Sequence, residues 1–409
     1  MLDNPGLGRS QAASSADETF LADIDALLPT IRARAAETER LGRIPNDIIG
    51  LLTEVGVFRA VQPRQWGGME LSHASFYEGM VRIASVCAST GWVASVVGVH
   101  PWQLALFADT AQQEVWADNR DARASSSYAP TGSVSRADGG FHLSGRWHFS
   151  SGVDHCSWVL LGAIVAGDEQ GDAEFRTFLV PRGDFTVDQE SWNVTGLRGT
   201  GSKDVLVPGA FVPEHRTHRI TDVYHGTDPG FSVNDRPYFR LPWRLVFAYT
   251  IAAPAIGAAV GALNAFITEN SVRVSSYGGP PVAASPGLQR RLAFALTAVD
   301  AAHARIHTTW PHFMSRLERG EKIPFEQRIQ CLYEAAFAHE SCCGAVYEII
   351  GVNGGRTMRA EGDLQRFFRD LLAMRNHPAA NVELSATLFA QAKLGMDPPP
   401  FNPTHRFVL

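Results

Sequence analysis

Clustered hydroxyl side chains beside aromatic residues are the feature of this sequence best suited to chemistry. One cluster is Ser125-Ser126-Ser127-Tyr128, and the second is Phe149-Ser150-Ser151. Hydroxyls at strand ends can hydrogen-bond the polar edge of a planar heterocycle while an aromatic ring covers its face. Serine is also common in turns, where it caps the backbone. The residue types alone leave both interpretations open.

A glycine-rich segment, Gly196–Ser202, combines backbone NH groups with the guanidinium of Arg198 and with hydroxyls. Such a loop suits a flavin tail or an anion, although a plain glycine-rich hairpin explains it equally well. The segment is not GxGxxG, and the sequence has no Walker loop, GxSxG elbow, HExxH or CxxC motif. Standard nucleotide-binding and hydrolase classes are therefore excluded, and we predict no metal site.

Two histidines are candidates for acid–base chemistry. His100 lies in an apolar stretch that includes Trp102, and His377 precedes Pro378 just before a helical segment. A neutral imidazole is a suitable base near pH 7, but a lone histidine is more often a structural group. The sequence alone leaves both roles open.

The periodicity of apolar residues divides the chain into three regions. Three- and four-residue steps from Phe20 to Trp116 indicate helices, and a period of two from Ala122 to His218 indicates strands, with Phe141, Leu143, Trp147 and Phe149 alternating along the first long one. After an irregular connector, long helical segments return at about 242–273, 285–318 and 325–352, with shorter ones at 361–374 and 378–392. The predicted organisation is a flexible leader (1–19), an N-terminal helical domain (20–121), a middle β-domain (122–218), a connector loop (219–240) and a C-terminal helical bundle (241–409).

Bulk composition points to small-molecule partners in a reducing compartment. The 409 residues carry a net charge of −6, which gives no general attraction to nucleic acid or anionic membranes. The five cysteines lack the spacing of a disulfide framework, and the polar start of the chain is unlike a signal peptide. The apolar stretch Val246–Ala265 approaches membrane-span length, but Gly, Pro, Tyr and Asn interrupt it, so we predict a buried bundle helix. We expect a cytoplasmic protein.

The order of the regions and the motifs together resemble the acyl-CoA dehydrogenase superfamily. The resemblance is closer to its two-component flavin-dependent monooxygenase branch, which includes oxygenase components acting on the phenolic secosteroid of bacterial steroid degradation and on 4-hydroxyphenylacetate. The densest matching stretches are Val61–Pro63 with Gln65–Gly68, Ala84–Cys87 with Ser89–Trp92, Val97–His100, Ser125–Pro130, Ser150–Gly152 with Asp154-His155, and Gly196–Ser202.

The resemblance implies a mainly α fold with a central β-barrel-like domain, a C-terminal four-helix bundle, and a flavin between the β-domain and the bundle of a homotetramer or dimer. It implies that Trp92, Ser125, Ser127, Tyr128, Phe149, Ser150 and Arg198 contact the flavin, and that Arg273, Gly354 and Arg369 hold its phosphates or the subunit interface.

The chemistry implied by the resemblance starts from reduced FAD or reduced FMN supplied by a separate NAD(P)H:flavin reductase. Oxygen then adds to the flavin to give a C4a-hydroperoxide. By the same resemblance Ser151 hydrogen-bonds the flavin N5 position, and His377 stabilises the peroxide or delivers a proton. His100, with Ser126 or Ser127, binds and activates the substrate.

A departure from the dehydrogenases weakens desaturation as the reaction. Where those enzymes often place a catalytic Glu soon after an Arg-Asp pair, Arg369-Asp370 is followed here by His377-Pro378. Aromatic residues of the connector, Tyr224 and Tyr238, together with His100 and Trp102, favour a phenolic, indolic or polycyclic substrate, although connector aromatics can also pack at an interface. The alternatives are N-oxygenation of an amine as in the nitrososynthases, an acyl-CoA dehydrogenase, and a non-enzymatic flavin-storing or structural helical protein.

Overall fold

The computed structural model describes residues 14–167, 172–274, 278–397 and 399–404. Residues 1–13 of the predicted leader lie outside this part of the chain. The first helix begins at Ser15 rather than near Phe20, because Ser14 and Asp17 form a capping box that satisfies the first backbone NH groups.

The N-terminal region is helical, as its periodicity predicts. Its helices are α1 (Ser15–Ala33), α2 (Ala35–Leu41), α3 (Asn46–Glu54), α4 (His73–Ala84), α5 (Ala88–Leu104) and α6 (Asp109–Trp116). Helix α5 is surrounded by protein, with 16 of its 17 residues buried. Polar side chains on α5 must therefore find hydrogen-bond partners inside the molecule.

The middle region contains two packed four-stranded sheets. The strands are β1 (Ala124–Ser127), β2 (Ser133–Ala137), β3 (Gly140–Ser150), β4 (Trp158–Val165), β5 (Glu174–Pro181), β6 (Thr186–Asp188), β7 (Lys203–Pro213) and β8 (Thr217–Arg219). One sheet has the order β1-β4-β5-β8 and the other β2-β3-β7-β6. Strand β1 is parallel to β4, and the other pairs are antiparallel.

The buried face of β3 ends earlier than the sequence pattern suggests. Phe141, Leu143 and Trp147 are buried as predicted, but Phe149 is 70% exposed. The pairing of β3 with β7 shifts register between Trp147 and Ser150, and Phe149 takes a left-handed conformation with φ of 65°. This bulge turns the Phe149 side chain out of the alternation.

The C-terminal region is a bundle of long helices that follows a connector containing a short helix. The helices are α7 (Ile220–His225), α8 (Trp243–Ser271), α9 (Pro286–Glu318), α10 (Phe325–Asn353), α11 (Asp363–Arg375) and α12 (Val382–Lys393). Helix α8 packs against α4, α5, α10 and α11. Among the described residues it is the one helix long and apolar enough to cross a membrane, and 89% of its most apolar window is buried inside the protein. It is the core helix of the bundle, as predicted.

Candidate active site

The two predicted hydroxyl clusters meet where β1 lies beside the end of β3. Ser150 Oγ donates to Ser125 Oγ over 3.0 Å, and both residues are fully buried. Ser127 Oγ donates to the His148 carbonyl over 2.7 Å. These hydroxyls therefore bind each other and the backbone, and they hold the two strand ends together.

His100 is placed next to this junction by α5. Its Nδ1 lies 2.7 Å from the Ala124 carbonyl and its Nε2 lies 3.0 Å from Ser126 Oγ. Because a carbonyl only accepts hydrogen bonds, Nδ1 carries the proton, and Nε2 accepts from the Ser126 hydroxyl. Burial lowers the pKa of His100 to about 4, so the ring is neutral at ordinary pH. His100 thus presents a hydrogen-bond acceptor.

Aromatic rings surround the His100–Ser126 pair. Tyr128 and Phe247 lie with ring centroids 6.4 and 6.0 Å from His100, and Trp243 stacks on Phe247 at 4.5 Å. The Tyr128 hydroxyl donates to Gln103 Oε1. These rings form an apolar wall that suits a planar ligand.

Gln103, Trp243 and Phe247 also line this site, although they are not among the residues predicted from the sequence. Among the described residues, the buried Gln103 Nε2 and Trp243 Nε1 have no hydrogen-bond partner. They are therefore available to an acceptor on a bound molecule. The spacing of three residues between His100 and Gln103 on a helix is a signal that could have identified Gln103, whereas Trp243 and Phe247 come from a distant helix.

Ser151 belongs to a chain of hydroxyls with a fixed direction. Thr200 Oγ1 donates to the Leu197 carbonyl over 2.8 Å and lies 2.6 Å from Ser202 Oγ, which lies 2.7 Å from Ser151 Oγ. Since each hydroxyl has one proton, Ser202 donates to Thr200 and Ser151 donates to Ser202. Trp92 Nε1 donates to Ser151 Oγ over 3.1 Å. Ser151 Oγ therefore has one remaining lone pair and can accept one more hydrogen bond.

His377 meets the Trp92 ring edge-on, with ring centroids 5.6 Å apart. His377 Nδ1 accepts a hydrogen bond from the Ala379 NH over 3.2 Å, so a neutral ring carries its proton on Nε2. A second buried histidine, His339, interacts with it electrostatically, and burial lowers the pKa of His339 to about 3. His339 was missed because α10 is distant from His377 in the sequence.

The glycine-rich loop is hydrogen-bonded to α11. The Leu197 NH donates to Asp370 Oδ1 over 2.6 Å, and burial raises the pKa of Asp370 to about 7. Arg369 donates to the Thr195 carbonyl and pairs with Glu39 at 2.6 Å. Arg369 is therefore engaged with protein groups, whereas Arg198 is exposed in the loop.

The exposed Phe149 ring lies near the same loop. It meets Trp192 edge-on, with centroids 6.1 Å apart, and Trp192 Nε1 donates to the Arg198 carbonyl over 3.0 Å. The strained backbone conformation of Phe149 keeps its ring exposed to solvent. An exposed aromatic ring can pack against the face of a planar ligand.

Five predicted site residues lie elsewhere. Trp102 and Tyr238 belong to a buried aromatic cluster around His73, because Trp102 is two residues from His100 and so projects from a different face of α5. Tyr224 stacks on Phe401 with centroids 4.0 Å apart. Arg273 donates to the Asn353 carbonyl over 3.1 Å, and Gly354 follows Asn353 at the end of α10.

Comparison with known proteins places the chain among flavoenzymes. The N-terminal domain model of the acyl-CoA dehydrogenases matches residues 25–119, and the C-terminal domain model matches residues 249–382. The oxygenase subunit HsaA of a flavin-dependent monooxygenase from Rhodococcus jostii is 40% identical, covering 91% of this chain and 97% of that protein. The oxygenase component of p-hydroxyphenylacetate 3-hydroxylase from Acinetobacter baumannii is 31% identical over 93% of this chain and 90% of that protein.

A solved structure indicates the same family as the sequence matches. The crystal structure of 3-HSA hydroxylase from Rhodococcus sp. RHA1 superposes with a TM-score of 0.90, at 38% identity, covering 94% of this chain and 99% of that one. The helical domain, the paired sheets and the long-helix bundle thus define the acyl-CoA dehydrogenase fold. The chain belongs to the branch of this superfamily formed by the oxygenase subunits of flavin-dependent monooxygenases.

Several predictions from the sequence are confirmed by these matches. They are the fold class and the membership of the flavin-dependent monooxygenase branch of the superfamily. Both of these relatives are named as an oxygenase subunit or an oxygenase component. The site fits a flavin, because Phe149 is an exposed aromatic cover and Ser151 Oγ can accept one more hydrogen bond.

Proposed function

We propose that this monooxygenase hydroxylates a phenolic, indolic or polycyclic substrate bound between the His100–Ser126 pair and the wall of Tyr128, Phe247 and Trp243. The observation that carries the proposal is the hydrogen bond from Ser126 to a neutral His100, whose Nε2 has to accept. A substrate OH or ring NH is the same kind of donor as the Ser126 hydroxyl. It can replace that hydroxyl at the single lone pair of Nε2.

The proposed role of His100 is to accept a hydrogen bond from the substrate OH or NH while the imidazole ring stays neutral. With a pKa of about 4, the buried ring is a weak base that polarises an O–H or N–H bond. Electron density then rises in the aromatic ring, which favours attack by an electrophilic oxygen. The partnerless Gln103 Nε2 and Trp243 Nε1 would orient the substrate by donating to an acceptor on it.

The flavin-facing side of the site is proposed to be built around Ser151. A bound reduced flavin, FAD or FMN, supplies the activation of O2. Ser151 Oγ would accept from the flavin N5–H, since the Ser151 proton is already committed to Ser202. Trp92 fixes the Ser151 side chain, and His377 would donate a proton from Nε2 to the oxygen being transferred or released.

The remaining assignments follow from where the side chains lie. Phe149 would cover the ring, Arg198 would contact the flavin tail, and Ser125, Ser127 and Ser150 would hold the strand ends that border it. Arg273 and Gly354, at the ends of bundle helices, would serve phosphate groups or subunit contacts in a homotetramer or dimer. We also propose an NAD(P)H:flavin reductase as partner and no nucleic acid or membrane partner. The location we propose is cytoplasmic, which is supported by the five free, buried cysteines.

A screen of phenols and indoles with any flavin reductase, followed by variants, tests the proposal. With a substrate that couples to O2 consumption, we expect His100→Ala to lower product formation about 100-fold or more, because general acid–base groups contribute this much. The His100→Ala variant should still consume O2, but most of this O2 should be released as H2O2. Ser126→Ala should lower product less, since Nε2 remains.

The matched control is His142→Ala, which removes an exposed histidine of β3 and should leave product per O2 unchanged. Normal coupling in His100→Ala would contradict the role of His100. A protein that oxygenates amines but none of the phenols or indoles would contradict the substrate class.

A further inference from the structure

A cluster outside the flavin site joins α4 to α9. His303 and His307, one helical turn apart on α9, both direct Nε2 at Glu78 Oε2, at 2.6 and 3.2 Å. The three potential ligand atoms lie within 4.8 Å of one another. Two imidazoles at i and i+4 on one helix face, with a carboxylate from a facing helix, form a ligand set that zinc proteins use.

The charges around the cluster favour a cation. Arg82 donates to the other oxygen of Glu78 over 2.9 Å and to Asp25 over 2.7 Å. Glu78, Asp25 and Arg82 together carry a charge of −1, and the histidines add none when neutral. Both oxygens of Glu78 accept hydrogen bonds from basic side chains, Oε1 from Arg82 and Oε2 from the two histidines. The carboxylate of Glu78 therefore faces the two imidazoles.

The access and the shape of the cluster also suit a metal ion. The His303 and His307 side chains are 29% and 41% exposed, whereas Glu78 is 10% exposed. Solvent therefore reaches the imidazole side. At metal–ligand distances of about 2.1 Å, tetrahedral ligand atoms are about 3.4 Å apart. The distances of 2.6 and 3.2 Å to Glu78 Oε2 would have to lengthen slightly, and the two imidazole nitrogens already lie within 4.8 Å of each other. Arg82 on the distal oxygen resembles the outer-shell partners that orient metal-bound carboxylates.

We propose that Glu78, His303 and His307 bind one divalent transition-metal ion of the Zn²⁺ class, with water completing the coordination. The ion would replace the Nε2 protons that now face Glu78, and each neutral imidazole would carry its proton on Nδ1 instead. Two imidazoles and one carboxylate favour such ions over Mg²⁺ or Ca²⁺, which prefer all-oxygen sites. The ion would clamp α4 of the N-terminal region to α9 of the bundle. The proposal departs from the prediction of no metal site, because Glu78 and His303 are 225 residues apart and form no local motif.

Metal titration of the full-length protein tests the site. After dialysis against a chelator, Co²⁺ is added while its visible d–d bands are recorded, and Zn²⁺ binding is measured by calorimetry. We expect one ion per chain, d–d bands of a four- or five-coordinate ion, and a higher melting temperature with Zn²⁺. In His307→Gln, which changes a half-exposed side chain, the Zn²⁺ Kd should rise more than about tenfold, since even outer-shell changes cost 10–100-fold.

The matched control is His312→Gln, on the same helix but bonded to Gln327 rather than to Glu78. It should bind Zn²⁺ like the natural chain. His303→Gln repeats the test from the second imidazole. The proposal is overturned by the absence of stoichiometric binding, or by an equal Zn²⁺ Kd and melting-temperature increase in the natural chain and His307→Gln.

Discussion

The direction of the hydroxyl chain at Ser151 determines what this side chain can do. Thr200 must donate to a carbonyl, so each proton in the chain points away from Ser151 toward Leu197. Ser151 is consequently an acceptor that Trp92 already uses once. A reduced flavin carries a proton on N5 and is a donor there, which makes the two groups complementary.

We expect Ser151→Ala to increase the fraction of consumed O2 that is released as H2O2 about three- to tenfold, the effect of losing one hydrogen bond worth about 1 kcal/mol. Quantifying H2O2 and hydroxylated product from the same reaction measures this fraction. Ser144→Ala, on the same strand β3, is the control and should behave like the natural chain. Equal H2O2 fractions in Ser151→Ala and the control would rule out the proposed acceptor role.

The long elements could be predicted from the sequence, because their periodicity is local. The bounds of α8, α9 and α10 differ from the predicted segments by no more than two residues. The bulge at Phe149 could not be predicted, since it depends on how β3 pairs with β7. Trp243 was missed for a related reason: its role arises from the packing of α5 against α8, which no local pattern reports.

The contact of α8 with α4 depends on glycines that let backbones approach closely. A Cβ added at Gly261 would lie 2.4 Å from the Ser85 carbonyl oxygen and 2.5 Å from the Phe367 ring. We therefore expect Gly261→Ala to lower the free energy of unfolding by about 1–3 kcal/mol, the usual cost of overpacking. Urea denaturation measures the change.

Gly344, in the middle of α10, is the matched control, because a Cβ there meets no atom within 4 Å. Gly344→Ala should raise the free energy of unfolding by roughly 0.5–1 kcal/mol, since alanine loses less backbone entropy in a helix. If both variants shifted stability in the same direction and by the same amount, helix propensity rather than the α4–α8 contact would explain them.

Burial of histidines couples the stability of the whole molecule to pH. Burial lowers the pKa of His100 and His155 to about 4 and that of His73 and His339 to about 3. An unfolded chain protonates these groups near pH 6.5, so between about pH 6.5 and 4 unfolding takes up four protons. Burial raises the pKa of Asp370 to about 7, and in the same window unfolding releases its proton. The net uptake is four minus one, or roughly three protons.

Stability should therefore fall as the pH is lowered from 6.5 toward 4, with a slope of up to about 4 kcal/mol per pH unit. Urea unfolding at pH 7.5, 6 and 5, at constant ionic strength and protein concentration, measures the slope.

His73 has no partner for either ring nitrogen among the described residues, so His73→Phe should remove one proton and reduce the slope by about 1.4 kcal/mol per pH unit. His142→Gln changes an exposed histidine and should leave the slope as it is. A slope that His73→Phe does not change would mean that His73 is already protonated in the folded protein, which its aromatic surroundings and complete burial oppose.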